Sequence, residues 1–378
     1  MKIAADSKIP FLKGVFEPYC DIEYLSPAEM TREKIKDADA IIVRTRNRCD
    51  ELMLEGTNVK FIATATIGFD HIDTEYCRRK GIKWVNAPGC NSVSVMQYMS
   101  AALTAFSIKK NVELEGLTLG IVGVGNVGSK VEKAARLLGM NLLLNDPPRE
   151  RREGKEKFTA LEQLASEADI ISFHVPLIKE GIDKTFHLAG EKFWGMVKPG
   201  AVFINTSRGE AADTQSLKEA MRKGIVSSAL LDVWENEPEP DLELLGMAEI
   251  GTPHIAGYSA EGKANGTTVC VNAINEFFNI GIEKEWYPAG LPRPLPEEEL
   301  VIDCTGLTLQ KILYSAIKHT YDIYGESRAL KESPGSFEQQ RNNYGIRREF
   351  GYYKIKLINA PEGAEKILAG LGFKTGTP

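Results

Sequence analysis

The sequence predicts an α/β protein built on parallel sheets, arranged as two consecutive units with a smaller C-terminal block. Three observations carry this. Short apolar runs alternate with amphipathic stretches twice over, across residues 1–90 and again across 118–251, and such alternation needs crossover helices covering both faces of a parallel sheet. A glycine-rich turn, Gly123-Val124-Gly125-Asn126-Val127-Gly128, joins a strand pattern to a helical one in the second series. The stretch from Trp286 to Glu299 holds four prolines and reads as a linker to the C-terminal block.

In the first series the strand candidates are Lys2–Ala5, Asp21–Leu25, Ala40–Val43, Phe61–Thr64 and Lys83–Asn86. Helical patterns at Pro27–Lys36 and Thr74–Lys80 lie between them. Five strands suggest a small flavodoxin-like domain. Asn91-Ser92 then offers a helix N-cap, and Val95, Met99, Ala102, Leu103 and Phe106 follow at helical spacing as far as Lys110. This helix reads as a connector.

The second series has strands at Thr118–Val122, Asn141–Asn145, Asp169–His174, Ala201–Asn205, Ser228–Leu231 and Glu249–Gly251. Helices fit at Gly125–Leu138, Leu161–Ala165, Glu191–Val197 and Thr214–Lys223. Six strands with crossover helices suit a doubly wound Rossmann unit. A helical stretch follows Gly266 to about Ile282. In the last block, strands at Val301–Cys304 and Tyr352–Leu357 and a helix at Leu307–Tyr324 suggest a two-layer α+β domain. The domains predicted are 1–92 with 258–285, 93–257, and 286–378.

The 378 residues carry 46 Lys and Arg against 52 Asp and Glu, a net charge of −6 that argues against a nucleic-acid partner. No apolar run approaches the ~20 residues that span a bilayer, so no membrane role is expected. Met1-Lys2-Ile3-Ala4-Ala5-Asp6 reaches charge too soon for a signal peptide. The six cysteines show no C-x-x-C spacing, which suits reduced thiols in the cytoplasm and predicts no metal site.

The glycine turn has a specific chemistry. Gly123 permits the tight turn, Gly125 lets backbone approach a pyrophosphate, and Gly128 lets helix and strand pack closely. The helix N-terminus at Asn126 and Val127 presents free N–H groups and a positive dipole end. Asp146 ends the next strand and is placed to accept from ribose hydroxyls, which favours NAD over NADP.

Three later segments each follow a strand end, where ligands bind in open α/β sheets. Asn205-Thr206-Ser207-Arg208-Gly209 supplies an arginine, Asp232-Val233-Trp234-Glu235-Asn236-Glu237-Pro238 supplies carboxylates, and Thr252-Pro253-His254-Ile255-Ala256-Gly257-Tyr258 supplies a histidine. Oxidising a 2-hydroxy acid needs a base for the hydroxyl proton, which suits His254. It needs a carboxylate to orient that base, assigned to Glu237, and a cation on the substrate carboxylate and developing carbonyl, assigned to Arg208. His174 ends a strand beside Pro176 and is expected to line the cofactor cleft.

These strings, with His174-Val175-Pro176-Leu177, resemble the D-isomer-specific 2-hydroxyacid dehydrogenases over about residues 1–285. The resemblance implies Arg208, Glu237 and His254 as the catalytic three and NAD as the cofactor. It adds Val175, Pro176, Thr206, Ser207, Arg208, Asp232 and Gly257 to the cofactor contacts. The strings Asn145-Asp146-Pro147-Pro148-Arg149 and His254-Ile255-Ala256-Gly257-Tyr258-Ser259, with the extra C-terminal block, resemble a branch acting on a small phosphorylated 2-hydroxy acid. That branch dimerises through the block, and Arg347 and Arg348 there are candidates to reach across a dimer to the partner's active site. Arg44 and Arg46, after the third strand, are then candidates for the phosphate, one or both, with Thr45 between them a further substrate-binding candidate. Thr66 and Gly68 are candidates for the carboxylate, and Tyr258 is a further hydrogen-bond donor. The rival readings are another family member with a different hydroxy acid, and an NAD-sensing interaction protein.

Overall fold

The computed structural model describes residues 1–376 and divides into two compact units. The first comprises Met1–Asn91 with Ser259–Pro292, and the second Ser92–Tyr258 with Arg293 onward.

In the first unit, β1 (Lys2–Asp6), β2 (Asp21–Leu25), β3 (Ala40–Val43), β4 (Phe61–Thr64) and β5 (Lys83–Val85) form one sheet in the order β2-β1-β3-β4-β5. Every pairing is parallel, and the order is that of flavodoxin-like folds. Strands β3 and β4 are buried at every residue, as central strands covered on both faces must be. Ile41, Val43 and Ile62 pack with Tyr76 and Cys77 of the helix Thr74–Lys80. Ile42 and Ala63 point the other way, onto Cys270, Val271 and Ile274 of the helix Ala260–Phe278.

Two helices depart from expectation. The pattern at Pro27–Lys36 yields helix only over Arg32–Ile35, because Thr31 is extended and starts it. The helix expected after Gly266 already begins at Ala260, where the Ser259 hydroxyl accepts from the Gly262 N–H. Glycines that read as breakers serve close packing instead. A Cβ on Gly266 would lie 2.8 Å from the Ala65 carbonyl oxygen, and one on Gly262 2.9 Å from the Asn91 Cβ.

In the second unit, β6 (Thr118–Val122), β7 (Asn141–Asn145), β8 (Ile170–Phe173), β9 (Ala201–Asn205), β10 (Val226–Leu231) and β11 (Ile250–Gly251) form a parallel sheet ordered β7-β6-β8-β9-β10-β11. The chain order reverses between β6 and β8, which opens a ligand crevice at their carboxyl ends. No third strand extends the β7 edge, since Gly154-Lys155-Glu156-Lys157 offers no apolar run to build one. The helix Ser92–Lys110 is buried on nearly all sides as far as Ser107 rather than along one stripe. Three of its hydroxyls are satisfied within the helix: Ser100, Thr104 and Ser107 donate to the carbonyls of Met96, Ser100 and Thr104.

The C-terminal residues explain that burial. Ile312, Leu313, Ile317 and Tyr321 share one apolar cluster with Met99, Leu103 and Phe106, so the block expected as a third domain groups with the second unit. It carries its own parallel sheet, β12 (Glu299–Asp303), β13 (Lys354–Ile358) and β14 (Lys374–Thr375). The single helix expected at Leu307–Tyr324 is two, Leu309–Thr320 and Ile323–Glu332, because Tyr321 is extended and Asp322 caps the second. Strand β13 starts later than Tyr352 because Phe350–Tyr352 form a 3-10 turn. Helices at Phe337–Asn342 and Ala364–Leu371 were not legible in the sequence. All six cysteines are free, and no described helix is long and apolar enough to cross a membrane.

Candidate active site

The glycine turn behaves as the spacing predicts. Gly123 adopts φ 88, and a Cβ there would lie 2.5 Å from the His174 carbonyl oxygen. A Cβ on Gly128 would lie 2.0 Å from the Gly123 oxygen, so only glycine closes helix onto turn. A Cβ on Gly125 would meet nothing within 4 Å, which leaves this backbone open to a ligand. Gly125 starts the helix Asn126–Leu137 with no side-chain cap, so the first N–H groups, including those of Asn126 and Val127, remain to be satisfied. Asp146 does more than ribose recognition requires. One carboxylate oxygen accepts from the Val124 N–H at 2.8 Å and the other from the Arg149 N–H at 3.0 Å, capping the helix Pro147–Glu153. These features fit a dinucleotide, held by backbone at the phosphates and by Asp146 at the sugar.

Beyond β8, Val175 is half-buried and Pro176 exposed, both at the crevice end of that strand. His174 is held by the Ser172 hydroxyl at 2.9 Å on Nε2 and the Thr206 hydroxyl at 3.1 Å on Nδ1. Burial pushes its ring down to about 3, so it stays neutral. After β9, the Asn205 side chain accepts from the Ser207 N–H and hydroxyl and donates to the Arg208 carbonyl, which turns the Ser207 hydroxyl inward. The Arg208 Nη1 donates to the Ser207 carbonyl at 2.8 Å. A Cβ on Gly209 would collide with the Trp234 backbone at 1.9 Å, so the Arg208 and Glu237 loops lie in direct contact.

The turn after β11 brings histidine and glutamate together. His254 lies in the left-handed region at φ 56, held by its N–H to the Asp232 carbonyl at 2.7 Å. Strained backbone of this kind gathers at functional sites. Its Nδ1 and the Glu237 Oε2 are 2.7 Å apart, and the Trp234 N–H donates to the other carboxylate oxygen at 3.0 Å. Burial works to raise Glu237, yet His254, the Trp234 N–H and Arg341 outweigh it and hold the carboxyl below its ordinary value. Engaging Nδ1 leaves Nε2 as the nitrogen for a substrate proton.

Asp232, a candidate for the cofactor, also has partners within the protein. It is 1 % exposed, and its oxygens accept from the Thr252 hydroxyl and the N–H groups of Ile255 and Ala256 at 2.7–2.8 Å. Burial pushes this carboxyl up. These bonds hold the turn that carries His254 and Gly257.

Two arginines come from the C-terminal segment: Arg341, which sequence reasoning missed, and Arg347, which it expected to reach across a dimer and whose contacts here are within its own chain. Arg347 is 4 % exposed, and its Nη2 donates to the Ser94 hydroxyl and to the carbonyls of Ile255 and Ala256 at 2.5–3.1 Å. Asp232 therefore grips the N–H side of the turn and Arg347 its carbonyl side. Arg341, on the helix Phe337–Asn342, places Nη1 4.0 Å from the Glu237 Oε2 and its guanidinium 5.8 Å from the Tyr258 ring. No local motif marks either arginine. His187, Asp213 and Glu235 form a further cluster, in which the His187 Nε2 lies 2.7 Å from Glu235 and ties down the loop before Glu237.

In the first unit, the Arg44 Nε donates to the Asp6 Oδ2 at 2.8 Å, and its Nη2 donates to the other oxygen at 3.3 Å. Asp6 is fully buried, so part of the Arg44 charge is spent holding β3 to β1. Thr45 and Arg46 are exposed. The Thr66 hydroxyl lies 2.7 Å from that of Thr64 and donates to the Gly68 carbonyl at 3.0 Å, which shapes the turn after β4.

Comparison with known proteins places the chain in a family. The NAD-binding domain of the D-isomer-specific 2-hydroxyacid dehydrogenases matches residues 96–256. An erythronate-4-phosphate dehydrogenase of Bacteroides fragilis is 51% identical over 94% of this chain and 99% of its own. One from Porphyromonas gingivalis is 41% identical over 99% of this chain and 100% of its own. The NAD-bound 3-phosphoglycerate dehydrogenase structure of Entamoeba histolytica, at 29% identity and TM-score 0.63, covers 77% of this chain and 98% of that one. The chain belongs to the D-isomer-specific 2-hydroxyacid dehydrogenases, in the branch of the erythronate-4-phosphate dehydrogenases.

Proposed function

We propose that this protein oxidises 4-phospho-D-erythronate to (R)-3-hydroxy-2-oxo-4-phosphobutanoate with NAD, in the route to pyridoxal phosphate. The observation that carries the chemistry is the His254–Glu237 pair, 2.7 Å apart on neighbouring strand-end loops. The substrate C2–H bond breaks with its electron pair leaving as hydride, and the C2 hydroxyl proton passes to the His254 Nε2. Glu237 stabilises the imidazolium that forms. Arg208 holds the substrate carboxylate and polarises the C2 oxygen. NAD, when bound, supplies the hydride acceptor, and Gly123, Gly125, Gly128 and Asp146 are the residues that would hold it.

Arg44 and Arg46 are assigned to the phosphate, with Thr45, Thr66, Gly68 and Tyr258 as supporting contacts. A homodimer formed through the C-terminal residues and a cytoplasmic location complete the reading.

The test is NADH formation on a panel of D-2-hydroxy acids with and without a terminal phosphate, 3-phosphoglycerate included. Turnover is expected with 4-phospho-D-erythronate far above the others. The paired change Arg44→Ala and Arg46→Ala is expected to weaken binding of phosphorylated substrates far more than that of unphosphorylated analogues, with Arg46→Ala alone leaving the Arg44–Asp6 pair intact. Preference for 3-phosphoglycerate, or equal losses with both classes, would overturn the assignment.

A further inference from the structure

Glu237 has two cationic neighbours. Its Oε2 is the oxygen that meets the His254 Nδ1 at 2.7 Å, and the same oxygen lies 4.0 Å from the Arg341 Nη1. Arg341 reaches this place from the helix Phe337–Asn342 and is only 17 % exposed along its side chain. Phe337 and Tyr258 flank the guanidinium, with ring centroids 6.0 and 5.8 Å away. Glu338 takes part of its charge, with Oε1 3.1 Å from the same Nη1. Its Nε is buried without a hydrogen-bond partner. A buried guanidinium with an unmet donor is a costly thing to keep unless its charge acts on something.

We propose that Arg341 is a positioning residue that sets how tightly Glu237 holds a proton on His254. Charge that Oε2 directs towards Arg341 is not available to the imidazolium. The base is therefore kept free to accept the substrate proton rather than locked as an ion pair. This rests on the base role assigned to His254 above. The charged and titratable groups around the pair are Asp232 from the end of β10, Glu235 with its partner His187 from the Glu237 loop, Tyr258 from the histidine's own turn, Arg347 on the carbonyls of Ile255 and Ala256, and Glu338 with Arg341 from the C-terminal helix. Glu338 opposes Arg341, so the two should act in opposite directions. The C-terminal segment thereby enters the chemistry as well as the packing.

The experiment is the pH dependence of kcat/KM for 4-phospho-D-erythronate with saturating NAD, whose acid limb reports the base. Arg341→Gln removes the competing cation, which favours the protonated base. The acid limb should move to higher pH by about half to one unit. Arg341→Lys should return it towards the parent position. Glu338→Gln strengthens the net positive field and should move the limb to lower pH. It also decides the matter alone if the Arg341 variants do not fold. A limb that stays put in Arg341→Gln, or in Glu338→Gln where only that variant folds, overturns the proposal. His254→Ala separates this from the function itself. If it turns over normally, the base assignment fails; if it is inactive while the limb is immobile, only the role of Arg341 fails.

Discussion

At the scale of single residues, two carboxylates five positions apart on one loop do opposite work. Asp232 is sealed among backbone donors and pushed up by burial, while Glu237 is held down by His254, the Trp234 N–H and Arg341 despite its own burial. Divergent environments are how one loop separates a structural carboxylate from a functional one. Because Glu237 is held low, its carboxylate stays ionised down through the ordinary carboxylate range, and its charge on His254 is lost only as pH falls through the lowered value. Glu237→Gln preserves shape but removes the charge that stabilises the imidazolium. We expect kcat to fall by roughly 10²–10⁴-fold. NADH binding, followed by its fluorescence, should be unchanged. A parent-like kcat would remove Glu237 from the chemistry. Arg208, Glu237 and His254 were legible because each follows a strand end in a distinctive string. Arg341 was not, and Arg347 was read only as reaching across a dimer, since Glu237 for the one and the Ile255 and Ala256 carbonyls for the other lie far off in sequence.

Elements tell a similar story. The strand–turn–helix from Thr118 to Leu137 could be read from its glycine spacing because each glycine answers a local steric demand. Gly128 is the sharpest case, its missing Cβ standing 2.0 Å from the Gly123 oxygen. Gly128→Ala must push the helix off the turn and misalign the N–H groups meant for the pyrophosphate. NAD affinity should drop by at least tenfold, read by calorimetry, while circular dichroism stays close to the parent. Unchanged affinity would show that the turn does not hold the cofactor as assigned. Where glycines answered to distant neighbours, as Gly262 and Gly266 do, local pattern misplaced the helix start. The C-terminal helices were harder still. Tyr321 and Asp322 break a continuous apolar stripe that reads as one helix, and the short helix Phe337–Asn342 buries only Phe337.

On the scale of the whole molecule, the C-terminal sheet poses the remaining question. Strands β12, β13 and β14 are all parallel, and all-parallel sheets are nearly always covered on both faces. One face is covered, since Ile302, Ile355 and Leu357 are buried in the apolar cluster of the second unit. The other carries Glu299, Val301 and Asp303 in register with Lys354, Lys356 and Ile358, and both Val301 (54 % exposed) and Ile358 (41 % exposed) stand in solvent. A second copy of the same face would cover it by two-fold symmetry, with Val301 beside Lys356 in the middle row, Ile358 beside Asp303 at one end and the Glu299–Lys354 pair at the other. Light scattering of the purified protein should therefore give twice the chain mass. The double change Val301→Asp and Ile358→Asp should halve that mass with little loss of thermal stability, because neither side chain is buried within the chain. A monomeric parent, or a variant that remains dimeric, would place the subunit contact elsewhere. If the variant monomer also keeps its kcat, the C-terminal residues serve the active site through Arg341 and Arg347 within one chain, and dimerisation is a separate function of the opposite face.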